Sequence, residues 1–367
     1  MSTIRFKQLL LNPVSITFTV LVAIVLITVV QAGGDPLALA QLGTKYSLAD
    51  QNGTEGYDGQ FVYYIAMNPF PSDVKPLLDV PAYRYQRILL PLIVRLLSFG
   101  DDRLVPWLLA FVGVISQVIG TWAIVLLLNR WNINSWYALV YGLWAGFTLS
   151  VRLDLPETLA YALVCWAILE MERERIISSS ILFGLALFAK EVTIIYVFGG
   201  VIYFLIKRLR KQLSILLLFS IIPFIIFQGW IWRIFGEIGI GSGGAMATSF
   251  EIIPYMGLFR IGFFSPVYLI MMALAFVPSI VIPSAWGIYS SVNRWLMGDR
   301  GYLLLALFLN GLMIAFLPFS TFRETGGLLR FSCGLVLAVL LYASRYRIFR
   351  VLNYSYFWLV MNAFLFK

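Results

Sequence analysis

Histidine is absent from the 367-residue chain, and cysteine occurs only twice. The first absence removes a Ser-His-Asp triad, a His-bound zinc, a His-ligated haem and a His proton relay, so acid–base chemistry falls to carboxylates, Lys, Tyr or water. Cys165 and Cys333 lie within apolar runs, where a small buried hydrophobe is expected in place of a disulfide or a ligand. Charge is scarce as well. Only 12% of residues are charged against 60% apolar, with a mean hydropathy of +0.87, which leaves too little polar surface for a soluble globule. A P-loop is missing, and the glycine-rich stretch 236–258 shows neither the strand before it nor the helix after it that a phosphate-cradling loop requires. That stretch reads as a linker, with a flexible lid as the alternative.

What is present is a succession of apolar runs from end to end. Crossing a hydrocarbon core of about 30 Å takes roughly 20 helical residues, and lipid-exposed backbone must satisfy its hydrogen bonds within the segment. The expected fold is therefore an all-α, polytopic transmembrane bundle of ten or eleven membrane helices, a single integral membrane domain over residues 1–367. Spans are expected near 13–32, 104–128, 135–151, 157–170, 177–189, 192–206, 213–235, 262–289, 302–319, 328–343 and 354–366. The last is short for a crossing, so its end is open between the outside and the interface. The first follows Arg5 and Lys7 without an Ala-x-Ala cleavage site, the pattern of a retained helix. Residues 33–103 form a long first outer loop with interfacial helices, and 236–258 a second one.

Basic residues set the orientation. With the N-terminus inside, the inner connections receive Arg130; Arg173 and Arg175; Lys207, Arg208, Arg210 and Lys211; Arg294 and Arg300; and Arg345, Arg347 and Arg350. The net charge of +9 is thus a topology signal plus attraction to membrane lipids, and nucleic acid is not an expected partner. The opposite face carries mixed charges. The first loop holds Asp35, Asp50, Glu55, Asp58, Asp73, Asp79, Arg84 and Arg87; later outer turns hold Arg152, Asp154 and Glu157, then Lys190 and Glu191, then Glu251 and Arg260, then Glu324 and Arg330. Run 177–189 is about 20 Å long at 1.5 Å per residue, which places Lys190 and Glu191 below the outer surface. An ionisable group there needs a partner or a watery cavity. Two readings follow: a structural pair of Lys190 with Glu191 or Asp154, or charges lining a cavity for an anionic substrate. Arg84 and Arg87, three apart, share a helix face and suit bidentate phosphate binding, or snorkelling to lipid phosphates. Leu92–Phe99, interrupted by Arg95, suits a helix lying in the interface.

An outer carboxylate, arginines at the membrane surface and no histidine suit glycosyl transfer from a polyprenyl-phosphate sugar. A carboxylate removes the proton of an attacking acceptor hydroxyl, and cations offset charge on the departing lipid phosphate. The donor stores the energy, so no nucleotide fold is needed. The first loop, with Gly56-Tyr57-Asp58-Gly59-Gln60, Tyr64-Ile65-Ala66 and Pro69-Phe70, then Pro81-Ala-Tyr-Arg-Tyr-Gln-Arg-Ile-Leu89, resembles a bacterial branch of the GT-C glycosyltransferase superfamily. It is more distantly similar to the GPI-anchor mannosyltransferases, which carry a Trp-Asp-Gly-like motif in the same loop. Helical hairpins with a charged outer turn, such as Phe188-Ala-Lys-Glu191, extend the likeness over most of the chain as architecture.

The resemblance implies that Asp58 is a general base acting with inversion at the anomeric carbon. Arg84 and Arg87 would contact phosphate, with Lys190 and Arg330 as further cavity cations. Glu191, Arg152, Asp154, Tyr57 and Gln60 complete the candidate substrate-binding set. The Asp-x-Asp pair of some relatives is missing, since Gly56 and Gln60 flank Asp58 at two positions. No cofactor is implied, and a divalent metal has no motif to support it. The implied partners are a polyprenyl-phosphate sugar and a lipid or glycan acceptor, and the implied location is a bacterial inner membrane with the site outside. A transporter or lipid flippase would also concentrate ionisable residues, although no duplicated half or matched pair of broken helices is apparent. A non-catalytic assembly subunit is a third reading.

Overall fold

The computed structural model describes residues 11–365 and is all-helical, with 76% helix and no strand among the described residues. Helix α1 (Pro13–Gln31) starts at Asn12, whose side chain accepts from the amides of Val14 and Ser15. The polar stretch that follows folds into short pieces, chiefly α2 (Gly59–Met67), α3 (Pro81–Tyr85) and α4 (Leu89–Leu97). Next come α5 (Asp102–Arg130), α6 (Ala138–Gly142), α7 (Ala145–Arg152), α8 (Glu157–Glu172), α9 (Ile176–Ala189), α10 (Glu191–Ile206) and α11 (Arg210–Phe235). The C-terminal part contains α12 (Pro266–Leu296), α13 (Tyr302–Ala315), α14 (Phe319–Arg323), α15 (Thr325–Arg345) and α16 (Phe349–Ser355), then a 3-10 segment, Tyr356–Leu365.

Five helices, α1, α5, α11, α12 and α15, are long and apolar enough to cross a membrane, as expected of an integral membrane protein. Helices α9, α10 and α13 are apolar but shorter. Against the ten or eleven spans expected, five helices among the described residues are long and apolar enough and three more are apolar but short; the expected run 157–170, in α8, is in neither group. The core is built on α15, whose most apolar stretch is 89% buried, whereas that of α11 is 28% buried and belongs at the periphery. Around α15 stand α7, α8 and α13, while α5 joins α1 to α8 and α9 joins α8 to α11.

Two expected spans are corrected. Run 135–151 is not one helix: it breaks at Leu143 and Trp144 between α6 and α7. The carbonyls freed by the break are satisfied by side chains, as membrane-depth backbone demands. Gln117 donates to the carbonyls of Tyr141 (2.8 Å) and Gly142 (3.3 Å), and Asn362 to that of Leu143 (2.7 Å). Run 354–366, described as far as Leu365, is not among the helices long and apolar enough to cross. Within it the segment Tyr356–Leu365 folds back against α6 and α7, buries Trp358 and Met361, and delivers Asn362 to that break. The first loop keeps its amphipathic piece as α4, which turns Leu90, Pro91 and Val94 inward and leaves Leu92, Leu96, Leu97 and Phe99 exposed.

Candidate active site

The motif Gly56 to Gln60 places one reactive group and uses its other residues to hold it. Gly56 has φ +69°, a left-handed conformation, and a Cβ there would lie 2.5 Å from the Gly43 nitrogen. Gln60 is buried, accepts from the Gly43 amide (3.1 Å) and donates to the Glu55 carbonyl (2.7 Å), so it ties the loop together and is not free for substrate. A Cβ on Gly59 would stand 2.1 Å from the Leu153 carbonyl oxygen. Only glycine allows the turn 153–156 to pack there, and that contact brings the start of α8 against Asp58. Asp58 precedes α2 but makes no cap with its side chain, which frees the carboxylate for other partners.

Those partners are arginines from distant parts of the chain. Arg84 Nη1 lies 3.0 Å from Asp58 Oδ1, and Arg330 Nη1 donates to Asp58 Oδ2 at 2.8 Å. Arg84 also holds Asp79 with two bonds, 2.7 and 2.8 Å, and rests over the Phe61 ring. Arg330 Nε donates to Glu157 Oε1 (2.7 Å), which Lys190 Nζ shares at 2.5 Å. Arg87 forks onto both oxygens of Glu191 at 2.8 and 2.5 Å. Tyr57 donates to Glu324 (2.8 Å) and accepts from Arg330 (3.2 Å). Helices α2, α3, α8, α9, α10 and α15 thereby meet in one belt of alternating charge, at the end of the molecule opposite the basic turns.

Within this belt Glu157 is 0% and Lys190 1% exposed, whereas Asp58 is 30% exposed. Asp58 is the partly exposed carboxylate held directly between two arginines, while Glu324, bonded through Tyr57, lies exposed at the belt's edge. Burial pushes its carboxyl up, but the guanidinium groups of Arg330 and Arg84 outweigh that and hold it well below the usual carboxylate range. Asp79 is likewise pushed up by burial and held down by Arg84. The cleft at Asp58 is lined by Arg84, Arg87, Arg330, Phe61 and Pro156 and measures about 10 Å³, the size of about one water.

The loop 236–258 packs on Arg84 and Asp79 beside this cleft and is not a plain linker. Gln228 accepts from the amides of Gly239 and Ile240, Gln86 donates to the Gly239 carbonyl, and Ala245 donates to Asp79 at 3.4 Å. A Cβ on Gly244 would lie 3.2 Å from Arg84 Nη2, so the strand of chain runs directly over that guanidinium. Gly239, Gly241 and Gly244 spell Gly-x-Gly-x-x-Gly, yet helix α11 precedes them in place of a strand.

Of the expected residues, the structure gathers Asp58, Arg84, Arg87, Lys190, Glu191, Arg330 and Tyr57. Arg152 and Asp154 stand apart. Arg152 donates to the Leu365 carbonyl, and Asp154 is buried with no partner for either oxygen and with φ +52°. Lys190 pairs with neither Glu191 nor Asp154 but with Glu157. Arg84 and Arg87 are buried in ion pairs, which excludes snorkelling for both. Sequence reasoning left out three members, Asp79, Glu157 and Glu324. Each was visible as an outer charge, but nothing in one chain says which cation it meets. No group of acidic or cysteine side chains arranged to hold a metal occurs among the described residues. No family model, curated protein or solved structure matches the chain.

Proposed function

We propose that the protein is an inverting glycosyltransferase that moves a sugar from a polyprenyl-phosphate donor to an acceptor hydroxyl at the outer face of a membrane. The observation that carries this reading is Asp58, a partly exposed carboxylate that lines a cleft and is set between Arg84 and Arg330 and beside Arg87. The acceptor oxygen attacks the anomeric carbon and forms the new glycosidic bond while its proton passes to Asp58. The bond from that carbon to the donor phosphate breaks, and its electron pair leaves with the lipid phosphate, where arginine cations stabilise it. Exposed Leu92, Leu96 and Phe99 of the first loop suit contact with a lipid-linked donor.

Asp58 in its double ion pair is a weak base. A donor phosphate that takes over Arg84 and Arg330 releases the carboxylate and raises its basicity, so donor binding prepares the base. The cleft holds about one water, so entry of a sugar also requires the elements that line it to move apart. Purified protein supplied with polyprenyl-phosphate sugars is expected to form a glycoside, and Asp58→Asn to lower kcat by about 10²–10⁴-fold with the fold intact. Full activity in Asp58→Asn would remove Asp58 from this role. Movement of a solute across vesicles with no covalent product would favour a transporter and overturn the enzyme reading.

A further inference from the structure

At the end of the molecule opposite the charge belt, α9 and α11 diverge around a groove of about 460 Å³ lined by residues 174–178 with Lys211, Gln212 and Ile215. Its mouth is basic. Arg175 is 66% exposed and only loosely paired, 3.5 Å from Glu170, whose other oxygen is taken by Arg173. Lys211 has no carboxylate partner among the described residues, and Lys207, Arg208 and Arg210 precede it on the same turn. Glu174 at the rim is the one carboxylate that lines the groove.

Its interior is apolar and open to the side. Ile177 lines the groove, and Ile181 and Leu185, one and two turns farther along the same face of α9, are exposed. On α11 the stripe continues from Ile215 through exposed Leu218 and Ile222. The two helices then close on each other: a Cβ on Gly184 would lie 2.4 Å from the Phe219 carbonyl oxygen. A wedge results, charged at its wide end and lined with aliphatic side chains toward its apex.

We propose that this wedge binds an anionic phospholipid whose headgroup carries free hydroxyls, with phosphate between Arg175 and Lys211 and acyl chains along the exposed faces of α9 and α11. Charge complementarity selects the anion, because a guanidinium and an ammonium line the same groove. Glu174 selects the hydroxyls, as a carboxylate accepts from a glycerol headgroup and repels a bare phosphate monoester. The apolar stripe distinguishes a lipid from free phosphate. This site is independent of the chemistry assigned to Asp58.

The test uses the full-length, delipidated protein in detergent, titrated with dioleoyl phosphatidylglycerol and followed by native mass spectrometry. Saturable binding is expected, weakened about tenfold or more in R175Q/K211Q, since each charged hydrogen bond carries that order of affinity. Ile177→Trp, which fills the wedge and leaves all charges in place, is also expected to weaken it. Removal of the same charge outside the groove, in K207Q/R208Q, is expected to change it by less than about threefold. Equal loss in both double variants would show diffuse attraction and overturn the proposal. So would equally tight dioleoyl phosphatidylcholine, or displacement of the lipid by inorganic phosphate at millimolar concentration. If R175Q/K211Q does not fold, undiminished binding in Ile177→Trp overturns it.

Discussion

Asp58 and Asp154 show how one residue type takes opposite states on the two sides of the Gly59–Leu153 contact. Asp58 has a native pKa depressed by its arginines, so the stability it contributes is present above its unfolded value of 3.8 and is lost as pH falls toward the native one. Asp154 is the reverse: burial without a partner pushes it well above 3.8. Its contribution is complete below the unfolded value and is lost as pH rises through the raised native one. Asn is uncharged at every pH, has the same shape and tolerates positive φ. Asp154→Asn is therefore expected to raise Tm at pH 7–8 and to flatten its fall with pH, as read by thermal unfolding in detergent from pH 4 to 9. An unchanged pH profile would show that Asp154 has no elevated pKa. Glu157→Gln removes the carboxylate shared by Lys190 and Arg330, both buried. A loss of about 3–5 kcal/mol is expected, the cost of uncompensated buried charge, and a loss below 1 kcal/mol would mean that water reaches the pair.

At the scale of elements, the charge belt depends on where helices α2, α8 and α15 begin. Helix α2 enters under the 153–156 turn because Gly59 has no side chain, and that contact sets the spacing between Asp58 and Glu157. Gly59→Val places methyl groups against the Leu153 carbonyl, 2.1 Å from where its Cβ must sit. The expected cost is about 1–3 kcal/mol of overpacking strain, together with loss of the Asp58 to Arg330 contact. Thermal unfolding and sugar transfer should fall together in this variant, and transfer at the wild-type rate would show that the α2 position does not control the site. The break between α6 and α7 was hidden in the sequence because its residues are as apolar as a continuous span. The amides that satisfy it, Gln117 and Asn362, lie far away along the chain.

For the whole molecule, the two ends differ in charge type, paired acids and bases at one and exposed basic turns at the other. Cys165 and Cys333 are buried, so the native chain gives little background to a membrane-impermeant maleimide. Ser72→Cys, in the first loop, and Lys207→Cys, in a basic turn, are expected to label from opposite sides of sealed vesicles. Labelling from the same side would overturn the topology.

Composition alone determined that the chain is helical and apolar enough for a membrane, since lipid leaves a hydrophobic backbone no other economical choice. The parity of basic loops also placed Asp58, Arg84, Arg87, Lys190, Glu191 and Arg330 on one face before any contact was known. Their pairing was beyond its reach. Arg330 is 272 residues from Asp58 and 173 from Glu157, and no periodicity links charges so far apart. The choice of Glu157 for Lys190, and the exclusion of Arg152 and Asp154 from the belt, came from helix packing. Packing decides which outer charges share a low-dielectric space, and only charges that share it must neutralise one another.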